Sequence, residues 1–187
     1  MSEPKAKRKL NKVEKHILKG MGLTPAVVID NVKDFYHRIG DMESDNNSQA
    51  SAKSSSAKGV YQYLNENKTA LDENGVKQPA NSSFQTGLNR AARAYKLAGE
   101  PIPKWIEDAN KHEDPRKLTQ EQSDTLMISD LVYGAKTVSA NMREYFIYGQ
   151  SNAKALHDVY KEHHTDVTDP GQGDVQGRMT ERLGAIN

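Results

Sequence analysis

Thr24-Pro25-Ala26-Val27-Val28-Ile29-Asp30-Asn31-Val32-Lys33-Asp34-Phe35-Tyr36-His37-Arg38-Ile39-Gly40-Asp41-Met42-Glu43 is the stretch that decides the fold class. Val28, Val32, Phe35, Ile39 and Met42 recur at three- and four-residue spacing, which places them on one face of a helix. Pro25 suits the first turn, where no backbone N–H is needed, and the Thr24 hydroxyl before it is expected to cap. The apolar face should pack on a core. Glu43 then falls at the helix end, at the edge of the buried stripe. A carboxyl held beside apolar groups has a raised pKa, because burial penalises its ionised form. Such a group can serve as a general acid near neutral pH. The plain alternative is a helix-end glutamate in solvent.

Working outward, the same periodicity recurs. Phe84, Leu88, Ala91, Ala92, Tyr95 and Leu97 predict a helix ending near Gly99, and Pro101-Ile102-Pro103 breaks the chain before a short Trp105 segment. Thr119 followed by Gln122 is a capping-box pattern, with Leu126, Met127, Leu131 and Val132 on the buried side. Val138 to Tyr148 is apolar and aromatic and closes at Gly149. Ala153, Leu156, Val159 and Tyr160 predict a last amphipathic helix running to His163-His164. Between these, residues 44–58 are serine-rich and aperiodic, which reads as a long loop. Gly59-Val60-Tyr61-Gln62-Tyr63-Leu64 is expected as a short helix, and residues 72–83 as polar turns. No β alternation is evident, so the fold class is all-α.

Both chain ends differ from the middle. Residues 1–20 hold seven basic and two acidic side chains, and the whole chain carries a formal net charge of +1. This basic arm (1–20) precedes a helical domain over 21–165. A polar tail (166–187) follows, in which Met179, Leu183 and Ile186 predict a docking helix over 178–186. Flexible segments of this kind order on partners. The chain has no cysteine and 35% apolar residues, a low fraction expected to be confined to the tails and the serine-rich loop. The missing cysteines exclude disulfides, thiolate metal sites and a cysteine nucleophile. No run is long enough to span a membrane. The opening Met1-Ser2-Glu3-Pro4-Lys5 leads into charge with no apolar block behind it, so no secretory signal peptide is expected.

Few residues could do chemistry. No Gly-x-Ser-x-Gly elbow or phosphate-binding Gly-Lys-Ser/Thr loop occurs. His163, His164, Asp166 and His157 are the nearest approach to a metal cluster. Adjacent histidines on a helix point about 100° apart, so neither a metal nor a cofactor is expected. Glu43 remains. Its surroundings, Glu43-Ser44, Ala50, then Ser56-Ala57-Lys58-Gly59-Val60-Tyr61-Gln62, resemble the signature of lytic transglycosylases with the goose-type lysozyme-like fold. In that family a helix ending in Glu-Ser is followed by a polar loop and Gly-Ala-x-Gly-Leu-Met-Gln. The sequence departs from it at Asn46, where the family carries an aromatic residue, and at Ser56, which replaces a glycine. Glu144 to Gln150 is similar to a later family element whose tyrosine lines the cleft near the acid, which puts Tyr148 in that role.

The resemblance implies a lysozyme-like helical domain that cuts the β-1,4 bond between N-acetylmuramic acid and N-acetylglucosamine in peptidoglycan. Glu43 would be the general acid and base, and Ser44, Tyr61, Gln62 and Tyr148 would contact substrate. No second carboxylate has a persuasive position, and a single acid suits a transglycosylase better than a two-carboxylate hydrolase. The similarity extends to phage-encoded members, which implies delivery to the cell wall as part of a virion, with the tails holding other virion proteins. Two other readings stay open. One is a non-catalytic lysozyme-like structural protein of a virion tail or ejection apparatus. The other is nucleic-acid contact through residues 1–20, against which stands the lack of any aromatic residue among Lys5 to Lys19.

Overall fold

The computed structural model describes residues 8–51, 57–64, 83–163 and 174–186. Among these the protein is mostly helical: α1 (Lys12–Gly20), α2 (Pro25–Ser44), α3 (Ser83–Leu97), α4 (Lys104–His112), α5 (Gln120–Gly134), α6 (Lys136–Tyr148), α7 (Ala153–His163) and α8 (Val175–Leu183). Two 3-10 turns, Pro115–Lys117 and Gly149–Asn152, link α4 to α5 and α6 to α7. The α2 stripe is buried from Val28 to Met42, with Phe35 edge-on to Phe146 of α6 at 5.3 Å between ring centroids. α3 lies along α5, α6 packs against α2 and α7, and α1 and α4 flank the α3–α5 pair. α5 opens as its sequence predicts: the Thr119 hydroxyl accepts from Gln122 N, and Thr119 N donates to Gln122 Oε1. Thr24 departs from expectation. It occupies the N-cap of α2 with extended backbone but makes no side-chain cap; Pro25 and the Thr24 carbonyl start the helix. No helix among the described residues is long and apolar enough to cross a membrane.

The segment Gly59 to Leu64 is a hairpin, not the expected short helix. Strands β1 (Ala57–Lys58) and β2 (Tyr63–Leu64) pair antiparallel, Ala57 opposite Leu64 and Lys58 opposite Tyr63. Gly59 at φ +80° and Gln62 at φ +50° bracket the turn, and neither angle fits a right-handed helix. Strands of two residues are too short to produce an alternation that a sequence could reveal. Gly59 also sits against the Pro115 turn, where an added Cβ would lie 3.2–3.3 Å from Pro115, including its backbone. Gly59→Val is therefore expected to destabilise by about 2 kcal/mol from the left-handed conformation alone. A thermal melt followed by circular dichroism should show a midpoint lower by ~4–8 °C.

The chain ends are less separate than their composition suggests. Residues 8–20 do not form a detached arm ahead of a domain at 21. Leu10, Val13, Ile17 and Leu18 are buried in the main core, and Arg8 reaches Glu14 and Asp124. The basic count hid an amphipathic helix whose lysines, Lys12, Lys15 and Lys19, lie on its outer face. Lys5 and Lys7 lie outside the described residues, as do residues 166–173 of the tail. The docking helix is shifted from 178–186 to Val175–Leu183, because the Asp174 side chain caps it at Gly177 N and Gly184 at φ +104° ends it. It docks on its own chain: Val175, Met179 and Leu183 are buried against α2 and α7, whereas Ile186 is exposed.

Candidate active site

Glu43 is the penultimate residue of α2, and the way that helix stops sets its surroundings. Asp45 (φ +52°) and Asn46 (φ +56°) are both left-handed, so Asn46 N donates back to Gly40 O and Asp45 N to Asp41 O. This double return is the usual means of satisfying the last carbonyls of a helix. Asn tolerates that conformation better than an aromatic residue would. Asn46 Nδ2 also donates to His37 O at 3.1 Å. Gly40 makes the return possible, since an added Cβ would strike the Asn46 side chain and stand 3.0 Å from Val60.

Ser44 ties this helix end to the hairpin. Its hydroxyl donates to Val60 O at 2.7 Å and accepts from Asn47 N at 3.2 Å. Gly59 N donates to Ala50 O at 2.9 Å, which closes the loop on the hairpin from its other side. The Glu43 side chain keeps part of its surface open. Among the described residues no hydrogen bond or ion pair engages it. Burial, the dominant cause, pushes its carboxyl up to about 7. Among the described residues nothing compensates the ionised form, so a substantial protonated fraction persists at neutral pH.

Two tyrosines feel the Glu43 charge. Tyr63 of the hairpin is buried, donates to Asp130 Oδ2 at 3.3 Å, and has its hydroxyl pKa raised by burial, by Asp130 and by Glu43. Tyr160 of α7 is raised by burial and then by Glu43, against the opposing charges of Arg178 and Arg182. Arg182 of α8 clamps the same helix end: its Nη1 lies 2.6 Å from Asp41 O and 2.7 Å from Asp45 Oδ1, and Arg38 Nη1 donates to Arg182 O at 3.0 Å. Asp45 is thus committed to an ion pair, as Asp130 is to Arg90 at 2.7 Å.

The expected site residues divide between this region and others. Ser44 and Gln62 belong to it, Gln62 with its Nε2 folded back on Gly59 O at 2.8 Å. Tyr61 does not face a cleft. It is 4% exposed, and its hydroxyl donates to Asp124 Oδ1 at 2.6 Å in the interior. Tyr148 is also misplaced. It is 56% exposed at the end of α6, where the next residue, Gly149, abuts Asn31. Asn31 is twelve residues before Glu43 on α2, about 18 Å along the axis. The tyrosines that sequence reasoning missed are Tyr63 and Tyr160. For Tyr63 the readable signal was the pair Asp124 and Asp130 on the buried side of α5, two acids that require donors, which Tyr61 and Tyr63 supply.

Ser56 lies outside the described residues, as do His164 and Asp166. His157 is fully buried with Nε2 against Gly184 O at 2.7 Å, a structural contact. No cluster of three or more metal-ligating side chains occurs among the described residues. Compared with known proteins, the chain matches no family model, no curated protein and no solved structure.

Proposed function

We propose that this protein is a peptidoglycan-cleaving lytic transglycosylase with a lysozyme-like helical domain, and that Glu43 is its general acid and base. The observation that carries the reading is the Glu43 carboxyl, pushed up to about 7 by burial at the end of α2 and joined through Ser44 to the Gly59–Gln62 turn. That arrangement supports the signature Glu43-Ser44 … Gly59-Val60-Tyr61-Gln62, read as one site. Protonated Glu43 donates to the glycosidic oxygen, and the bond to C1 of N-acetylmuramic acid breaks. The substrate's own acetamido group steadies the cation-like centre. Glu43, now a carboxylate, takes the proton of the primary hydroxyl, whose oxygen closes on C1 as an anhydro ring. Of the acids beside Glu43, Asp45 is neutralised by Arg182, which favours the one-acid scheme over a hydrolase with two carboxylates. The setting we propose is a virion, from which the enzyme opens the wall locally.

Mass spectrometry of digested peptidoglycan tests the chemistry. Anhydro-muropeptides are the expected products; reducing ends would mean a lysozyme, and stoichiometric binding to sacculi without turnover would mean a structural protein. Co-purification with intact particles tests the setting. The pH profile gives a further check. A general acid must be protonated to act, so turnover should fall as pH rises through about 7, tenfold per unit on the alkaline limb. A profile flat from pH 6 to 9 would exclude Glu43 as the acid.

A further inference from the structure

A groove of about 300 Å³ opens between the start of α4, the end of α3 and the start of α5. It is at the lower end of the ~300–1,000 Å³ range of small-molecule sites. Its apolar wall is Trp105, the single tryptophan of the chain, with Tyr95 edge-on at 6.5 Å and Pro103 beside them. Both rings are half-buried. The opposite wall is polar and already oriented. Gln122 Oε1 accepts from Thr119 N at 2.9 Å, which fixes the amide and leaves its Nε2 hydrogens as donors. The Thr119 oxygen accepts from Gln122 N at 3.2 Å, which leaves its own hydrogen to donate. Glu121 supplies an acceptor. The floor is Asn11, whose Nδ2 donates to Thr125 Oγ1 at 2.8 Å.

This chemistry selects among ligands. Among the described residues no cation lines the groove, so a phosphate or carboxylate would find no charged partner there and would meet Glu121. A purely apolar ligand would leave the Gln122 and Thr119 donors unpaired at a cost in affinity. A pyranose ring satisfies both walls, with C–H faces for the aromatic rings and hydroxyls on its rim for the amide, hydroxyl and carboxylate. The groove is also distinct from the Glu43 region. At ~100° per residue, Glu121, Gln122 and Thr125 lie roughly 160° round α5 from Asp124, Met127 and Asp130, the side on which the hairpin tyrosines dock.

We propose that the Trp105 groove is a second carbohydrate-binding site, which holds one sugar ring of a glycan away from Glu43. The assignment to a neutral sugar rests on the groove alone; the choice of an N-acetylated glycan rests on the proposed peptidoglycan-cutting activity. Bound there, a strand of an insoluble polymer keeps the protein on its surface between cuts.

Because the chain has one tryptophan, its fluorescence reports this groove. Tri-N-acetylchitotriose titrated into the full-length Glu43→Gln protein should give a saturable change in Trp105 emission, and inorganic phosphate should give none. Tyr95→Ala should weaken the sugar response by about tenfold. Gln122→Glu should do the same while keeping the oxygen that caps α5, so the fold is preserved and only the donors are lost. In the wild-type background Trp105→Ala should keep turnover on short soluble fragments and lose retention on sacculi. No emission change at millimolar sugar overturns the inference, as does a response to phosphate alone or one unaltered by both groove variants. A silent tryptophan in a protein that cuts peptidoglycan rejects the groove and leaves the enzyme reading standing. A saturable response without cutting does the reverse.

Discussion

Glu43→Gln yields a folded, helical protein that no longer clears purified peptidoglycan. Glutamine matches the glutamate side chain in shape, so the end of α2, the Ser44 link to Val60 and the Arg182 clamp all remain. What is lost is the transferable proton, and removal of a general acid lowers rates by roughly 10²–10⁴-fold. The same substitution should raise stability at alkaline pH. The folded-state pKa of about 7 lies above the ordinary 4.5, so folding takes up a proton between those values. Wild-type stability therefore falls as pH rises from about 4.5 through about 7, and glutamine, having no proton to lose, avoids that fall. Urea titrations at pH 5 and pH 8 should show the variant gaining on wild type only at the higher pH. Retained clearing would refute the catalytic assignment. Lost clearing with no stability gain at pH 8 would mean that Glu43 is solvated and acts by another route.

Arg8→Met should destabilise the protein by about 3–5 kcal/mol. The Arg8 guanidinium lies 2.7 Å from Glu14 and 2.8 Å from Asp124, and those two acids are 0% and 4% exposed. Their other partners, Tyr36 and Asn11 N on Glu14 and Tyr61 and Gln120 on Asp124, are neutral donors. Removal of Arg8 leaves two buried like charges, a configuration that costs far more than an exposed ion pair is worth. Burial already raises the Asp124 pKa, against the lowering effects of Tyr61, Gln120 and Arg8. Without Arg8 it rises further above its unfolded value, so the variant should recover stability as pH falls. Denaturant titration checks both statements. A change within about 0.5 kcal/mol would mean that Arg8 belongs to a solvated arm.

The elements that were legible in the sequence are those with a long period and a local cap. The α2 stripe from Val28 to Met42 and the Thr119–Gln122 box needed no knowledge of the rest of the chain. What could not be read depends on partners distant in sequence. The hairpin exists because Gly59 meets Pro115 and Ser44 meets Val60, contacts spanning 56 and 16 residues. The inward turn of Tyr61 depends on Asp124, and the burial of α1 depends on Arg8 neutralising acids at both ends of the network. The burial of the Glu43 carboxyl was legible because it follows a local signal, the end of an apolar stripe. The position of Tyr148 was not: a motif placed it near the acid, whereas the end of α6 lies beside Asn31, twelve residues back along α2.

The α8 clamp has a mechanical consequence. Arg182 grips the final turn of α2 at Asp41 O and Asp45, and Arg38 grips Arg182 O in return. The contact lies two residues to either side of Glu43. Tension on the segment after Leu183 is therefore shared between α7, where His157 holds Gly184 O at 2.7 Å, and the helix end that carries the acid.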